Sequence, residues 1–305
     1  MDKKAVSVIM LTYNREALVG RAVESILNQA FGDFEFIIVD NGSTDRSGAI
    51  ADEYAARDAR VRVIHRKRGN IGSGRNAGLD AARGEWVAFI DDDDWCEPDF
   101  LEFLYALAVE NGADVAICGA EGKECDEKLV MSAEEAVTEL LWRRKYNVQF
   151  PTKLISAPLM SRFRFSESAK FDDIELMPRL LAEAKRVAYH GLPKYTFERH
   201  GTNNSAWTTN HALLTPATLA EYLRVYRERT EFLCEKFSKS AEKWHYFEWS
   251  FMISMVEKVT RLRLVDCDDL CYIMKRELAK HRDEFLGCLW ALEFEKEWVR
   301  EYVVR

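Results

Sequence analysis

Val87 to Trp95 reads VAFIDDDDW, four carboxylates directly after an apolar run. Like charges stacked this closely repel, so the chain needs something to neutralise them. Two aspartates spaced one apart at a strand end can grip a hard divalent cation such as Mg or Mn, which favours carboxylate oxygen and shares its coordination with substrate phosphates. The plainer explanation is an acidic cap on the helix after Pro98. A cap uses one or two acids, and here there are four. A second acidic pair, Asp172-Asp173 in FDDIEL, precedes a helical pattern whose apolar positions are Leu176, Leu180 and Leu181. On its own it reads as an N-terminal cap.

The elements that must position these acids alternate. Val6 to Leu11 is an apolar run expected of a strand covered on both faces. Helical spacing predicts an amphipathic helix from about Glu16 to Gln29. Phe34 to Val39 reads as a strand, Asp40 to Asp45 as a turn, Ser47 to Arg57 as a helix and Val61 to Ile64 as the third strand. A glycine-rich connection, a short helix over Asn76 to Ala82 and a strand over Trp86 to Ile90 follow. The pattern then gives a helix over Phe100 to Val109 and a strand over Ala113 to Cys118. This order implies βαβ units and a mainly parallel α/β sheet flanked by helices. Ligands on such sheets gather at the carboxyl ends of the strands, which sets Thr12 to Arg15, Asp40 to Ser43 and Asp91 to Asp94 along one rim.

Glu121 to Phe150 is charged and mainly helical in pattern, with no clear strand. From about Thr215 the chain is helical throughout, and Trp244, Phe247, Phe251 and Met255 form an aromatic stripe. The stripe suits core packing or a partner helix, including homodimerisation, better than peripheral contact with a membrane. The expected division is a main domain over 1–210 and a helical extension over 211–305.

Composition removes several classes. The 305 residues carry 43 Lys and Arg against 51 Asp and Glu, a formal charge of -8. That argues against a nucleic-acid partner held by phosphate contacts, and anionic substrates would need local help. The N-terminal apolar run is too short for a signal peptide and no stretch is long enough to span a membrane. A cytoplasmic location, or a peripheral one at the cytoplasmic membrane face, is expected. Seven cysteines with no C-x-x-C pair read as reduced thiols.

Four segments taken together, SVIMLTYNRE, FEFIIVDNGSTDRS, GNIGSGRNAGLDAARGEWVAFIDDDDW and FDDIELMPRLLAEAKRV, resemble the inverting family 2 glycosyltransferases of GT-A fold. The likeness runs over about the first two thirds of the chain, to near Ser205. It implies that Thr12, Tyr13 and Asn14 form the nucleotide-contacting turn and that Asp40, with Gly42 and Ser43, reads the base, usually uracil. Asn41 departs from a second aspartate common there. Arg75 falls where the family often has a basic residue near the nucleotide. Asp91 and Asp93 match the Asp-x-Asp pair for Mn or Mg, Asp93 as ligand and Asp91 nearer the ribose and the metal, with Asp92 between them beside the donor. Asp173 matches the catalytic base, and Asp172 replaces the usual supporting glutamate. His200 is implied as a further metal ligand, and Arg199 as a phosphate contact. The implied reaction moves a sugar from a UDP-sugar to a hydroxyl of a glycan or lipid-linked acceptor, with inversion.

Plainer readings stand beside these. Asp40-Asn41-Gly42 makes a turn on its own, Thr12 ends a strand, and Arg75 can be a solvated surface residue. Gly72 to Ala77 fits the G-x-G-x-x-A dinucleotide fingerprint of an NAD-dependent dehydrogenase, weakened by the polar stretch after His65, the short helix that follows and the surplus of acids. A non-catalytic nucleotide-sugar-binding protein on a degenerate transferase fold is the rival from another class. His281-Arg282-Asp283 reads as a solvated helix face.

Overall fold

The computed structural model describes residues 4–122, 125–168, 171–199 and 210–303. The chain divides into two compact units, Met1–Glu198 and Arg199–Arg305.

The first unit is built on one sheet. β1 (Val6–Thr12), β2 (Phe34–Asp40), β3 (Val61–His65) and β4 (Trp86–Asp91) are parallel; β5 is Trp95–Cys96, β6 Val115–Ala120, β7 Lys128–Met131, β8 Lys153–Ser156 and β9 Val187–Thr196. Their order is β3-β2-β1-β4-β8-β6-β9-β5, with β7 paired to β9. β8 runs antiparallel to both β4 and β6. The α/β expectation is met: a mostly parallel sheet lies between helices, which are α1 (Val19–Leu27), α2 (Ser47–Ala55), α3 (Ile71–Ala81), α4 (Phe100–Asn111), α5 (Ala133–Trp142), α6 (Ala157–Met160) and α7 (Asp172–Glu183).

Alternation in β1 and β2 sends Val6, Val8, Met10, Phe34, Phe36 and Ile38 to one face, where they pack with Val19, Ala22, Val23 and Ile26 of α1 and Phe100, Leu101 and Leu104 of α4. The other face is covered by α3, and here the sequence misleads. The expected short helix from Asn76 begins at Ile71 instead, capped by Asn70, whose side chain accepts from the Ser73 N–H at 2.8 Å. Its glycines are contact points: a Cβ on Gly74 would lie 2.2 Å from Leu11 Cδ1, and one on Gly78 would lie 2.4 Å from Ile9 Cγ2. The helix rests on the strands because those atoms are missing.

Two further expectations are corrected. α1 starts at Val19, not Glu16, because the N–H groups of Arg15 and Glu16 are bound by Ser47 Oγ at 2.7 Å and Asp45 Oδ2 at 3.1 Å. Residues 121–150 contain a strand, β7, at the sheet margin; four residues with two exposed side chains give too short an alternation to be read.

The second unit is helical as expected: α8 (Pro216–Lys236), α9 (Ala241–Leu262), α10 (Asp268–Lys280), α11 (Arg282–Gly287) and α12 (Glu293–Tyr302). The aromatic stripe is spent on its core. Trp244, Phe247 and Met255 are buried, and Phe251 stacks on Tyr226 of α8 with centroids 3.9 Å apart. His281 closes α10 and stacks on Trp249, a packing role. The seven cysteines are free thiols, and no described helix is long and apolar enough to cross a membrane.

Candidate active site

Strand register gathers the rim. Thr12 stands opposite Asp40, Leu11 opposite Asp91, and Asp40 opposite His65, so the carboxyl ends of β1 to β4 present their chemistry side by side.

The four aspartates have four different environments. Asp91 receives Arg75 Nη2 at 3.4 Å on its carboxylate, and its N–H donates to the Tyr195 hydroxyl at 3.1 Å. Burial raises its pKa against the pull of Arg75. Asp92 turns inward and accepts the Tyr13 N–H at 3.1 Å, fixing the turn after β1; burial pushes its carboxyl up to about 7. Asp94 is buried, accepting the Tyr195 hydroxyl at 2.7 Å and the Glu198 N–H at 2.8 Å, and burial pushes it up to about 8. Asp93 is half-buried, with its backbone carbonyl held by Arg21 Nη2 at 2.7 Å. Arg75 draws on Asp91, and hydrogen bonds reach Asp92 and Asp94, while burial and the neighbouring charges of the run, that of Asp93 in each case, still raise these three carboxyls.

Arg75 of α3 is largely enclosed, its side chain 11% exposed, and is not solvated. Its Nη1 donates to Asp172 Oδ2 at 2.9 Å while Nη2 faces Asp91, beside the rings of Phe165 and Phe150 at 5.3 and 5.9 Å. Burial disfavours its charge, but Asp172, Asp91 and Asp173 outweigh burial and raise its pKa. Asp172 opens α7, and the shortened side chain still reaches this guanidinium. Asp173 is the next residue. Burial first, then the neighbouring Asp172, push its carboxyl up to about 6 against Arg75 and the Ile174 N–H, which it accepts at 2.8 Å. Its side chain keeps part of its surface accessible. A carboxylate with a raised pKa and a route to solvent is suited to taking a proton near neutral pH.

The turn after β2 is equally specified. Asp40 accepts the Ser43 N–H at 2.9 Å on Oδ1 and faces His65 Nδ1 at 3.0 Å on Oδ2; burial raises its pKa, and Ser43 and His65 together bring it below the usual carboxylate range. Gly42 has φ +84°, and a Cβ there would sit 2.6 Å from the Arg68 backbone nitrogen. Asn41 donates to Gly69 O at 2.9 Å and accepts Gly69 N–H at 3.2 Å. This two-way pairing accounts for the departure from aspartate, since a carboxylate can accept but not donate. Asn14, at φ +51°, donates its N–H to Ser43 Oγ at 3.1 Å and accepts the Thr44 N–H at 2.8 Å. Arg68 lies over the Tyr13 ring at 3.9 Å. Thr12 is buried at the end of β1.

The structure therefore brings Thr12, Tyr13, Asn14, Asp40, Gly42 and Ser43 into one rim segment, and joins Asp91 to Asp172 through Arg75. His200 lies outside the described residues; Arg199 is exposed. Sequence reading passed over His65, Tyr195 and Lys153. Lys153 is fully buried on β8, and burial pushes its ammonium down to about 7, with Asp173 among the acidic groups opposing the shift. A lysine opening the strand KLIS, directly before Leu154 and Ile155, was the available signal. Among the described residues no three His, Cys, Asp or Glu side chains converge as a ready-made metal centre. The outer pair, Asp91 and Asp93, nonetheless offers hard oxygen donors suited to a Mg or Mn ion whose other positions are filled by phosphate and water.

Comparisons with known proteins bear on the family and the fold. The model of Glycosyl transferase family 2 matches residues 7–168. The chain is 41% identical over 138 residues to the putative glycosyltransferase EpsH of Bacillus subtilis, covering 45% of this chain and 40% of that protein. It is 32% identical over 212 residues to glycosyltransferase GlyG of Streptococcus pneumoniae, covering 64% of this chain and 70% of the relative. The chain spans about two fifths of the length of the first curated relatives it matches, 40% and 42%. In fold it is similar to S. aureus TarS in complex with UDP-GlcNAc, at a TM-score of 0.63 and 19% identity over 97% of this chain and 92% of that one. It is also similar to a mannosyltransferase from Pyrobaculum calidifontis in complex with GDP-Man and Mn2+, at a TM-score of 0.57 and 14% identity over 98% of this chain and 86% of the other. With the family model matching more than half of its residues, the chain belongs to glycosyl transferase family 2.

Proposed function

We propose that this chain is an inverting glycosyltransferase that moves a sugar from a nucleoside diphosphate, UDP foremost, to a hydroxyl of a glycan or lipid-linked acceptor. The observation that carries the reading is the Arg75 bridge between Asp91 of the rim and Asp172 of α7, at 3.4 and 2.9 Å. It ties the donor rim to the segment bearing Asp173. The UDP-GlcNAc seen in TarS and the GDP-Man in the mannosyltransferase support a nucleotide-sugar donor.

The chemistry follows from the residues. Asp40, kept ionised, accepts an N–H from the base, and the turns over 12–14 and 42–43 frame the nucleoside. Asp91 and Asp93 would hold Mg or Mn, which when bound offsets the charge accumulating on the leaving diphosphate. Asp173 takes the proton of the acceptor hydroxyl as its oxygen attacks the anomeric carbon from the face opposite the leaving group, which inverts the configuration. Asp172 and Arg75 hold the base in position.

The test is a panel of nucleotide sugars screened for thermal stabilisation with Mn or Mg, read beside release of free nucleotide and transfer to a hydroxyl acceptor. A UDP-sugar is expected to stabilise the chain and be turned over, and Asp93→Ala is expected to lose the metal-dependent part of UDP binding. Binding without turnover for any donor would favour the non-catalytic reading; unchanged binding by Asp93→Ala would remove the metal assignment.

A further inference from the structure

His65, the last residue of β3, is caught between carboxylates on two other elements. Its Nδ1 lies 3.0 Å from Asp40 Oδ2 at the end of β2, and its Nε2 lies 3.0 Å from Asp52 Oδ1 on α2. Gly48 makes the approach feasible, because a Cβ there would lie 2.7 Å from Asp40 Oδ2 and 3.3 Å from His65 Cε1. Asp40 and Asp52 are the charged groups that act on the ring. The neighbouring Arg66 turns its Nη1 to Ser73 Oγ, 3.1 Å away. Neutral imidazole has a single N–H and can serve one of these acids; only imidazolium donates to both.

We propose that His65 is a positioning residue for the donor: as imidazolium it fixes the Asp40 carboxylate in the orientation that meets the nucleobase N–H, so nucleotide affinity responds to pH through a side chain that does not touch the nucleotide. The proposal rests on the reading of Asp40 as the base contact. Once the ring loses its proton its single N–H is shared between the two acids, and in the tautomer that serves Asp52 the Asp40 Oδ2 faces a lone pair and only Oδ1 stays held, by the Ser43 N–H. The hydrogen bonds from Asp40 and Asp52 raise the pKa of His65 against burial. The imidazolium therefore persists above the ordinary histidine value and is lost as pH rises through the raised one.

The experiment is calorimetric titration with UDP from about pH 5.5 to 8.5, the window of histidine titration, on the native chain, His65→Gln and Asp52→Asn. The ratio of the His65→Gln and native dissociation constants cancels the titration of the UDP phosphate. That ratio is expected to be roughly three- to tenfold at the acid end, since a half-exposed charge-assisted bond is partly screened, and to close toward one as pH rises. Asp52→Asn is expected to lower the His65 midpoint, followed by NMR of the ring, and to shift the loss of UDP affinity to the same lower pH. A ratio constant across the range overturns the proposal, as does a UDP profile that stays put while the NMR midpoint moves. Asp40→Asn separates the two ideas. If it binds UDP as the native chain does, the base-contact reading fails and the proposal with it; if it loses affinity while the His65→Gln ratio is flat, the proposal alone fails. His65→Asn takes the place of His65→Gln should the latter not fold.

Discussion

Asp173 and Asp172 are chemically identical neighbours given different tasks by their surroundings. Asp172 is pinned to Arg75 at 2.9 Å, whereas burial and the adjacent acid push Asp173 up to about 6. Replacing Asp173 by Asn keeps shape and removes the proton acceptor, so kcat is expected to fall roughly a thousandfold, within the range general bases contribute, with UDP binding unchanged. A base must be ionised to act, and a raised carboxyl pKa means the proton stays until the pH exceeds it. At saturating donor the profile of kcat is therefore expected to rise with pH through about 6 and level off, and an acid limb near 4 would place the base elsewhere. At this scale the sequence disclosed which residues would gather, because acids after apolar runs fall at strand ends. It did not disclose the division of labour within Asp91 to Asp94, since that depends on Tyr13, Tyr195 and Glu198, two of them about a hundred residues away.

Among the elements, β1, β2 and β4 were legible because strands covered on both faces read as nearly unbroken apolar runs. α3 was shortened in the reading because glycine counts against a helix. Tertiary contact overrides that penalty here: Gly72, Gly74 and Gly78 leave room for Ser166, Leu11 and Ile9. The same fact disposes of the dinucleotide fingerprint, whose glycines here serve packing, and whose strand ends at His65 with a separate loop before Ile71. Gly72→Ala sets a Cβ 2.1 Å from the Ser166 carbonyl oxygen, a backbone atom that cannot swing aside. The expected loss is about 1–3 kcal/mol or somewhat more, as for overpacked sites. Gly32→Ala meets nothing within 4 Å and serves as the control, expected within about 0.5 kcal/mol of the native chain. Urea unfolding of the two variants measures both, and equal midpoints would mean that α3 does not need its glycines.

For the molecule as a whole, the balance of -8 says little about where charge is costly. Among the described residues a cation held at a cost is Lys153, fully buried, its Nζ donating to Gln149 O at 2.6 Å and lying 3.4 Å from Thr152 Oγ1. Burial pushes its pKa down to about 7, while in the unfolded chain a lysine titrates near about 10.4. Between those values the unfolded state binds more protons, so stability rises with pH on this residue's account, and falls again as pH drops toward 7. The full gap corresponds to an upper limit on the order of 5 kcal/mol. Lys153→Met removes the titration while roughly keeping the volume. Relative to that variant, the native chain is expected to gain stability steadily between about pH 7 and pH 9.5, measured by urea unfolding at several pH values. A difference between the two that stays constant over this range would mean that the ammonium keeps an ordinary pKa, and that water or an acidic partner reaches it inside the sheet.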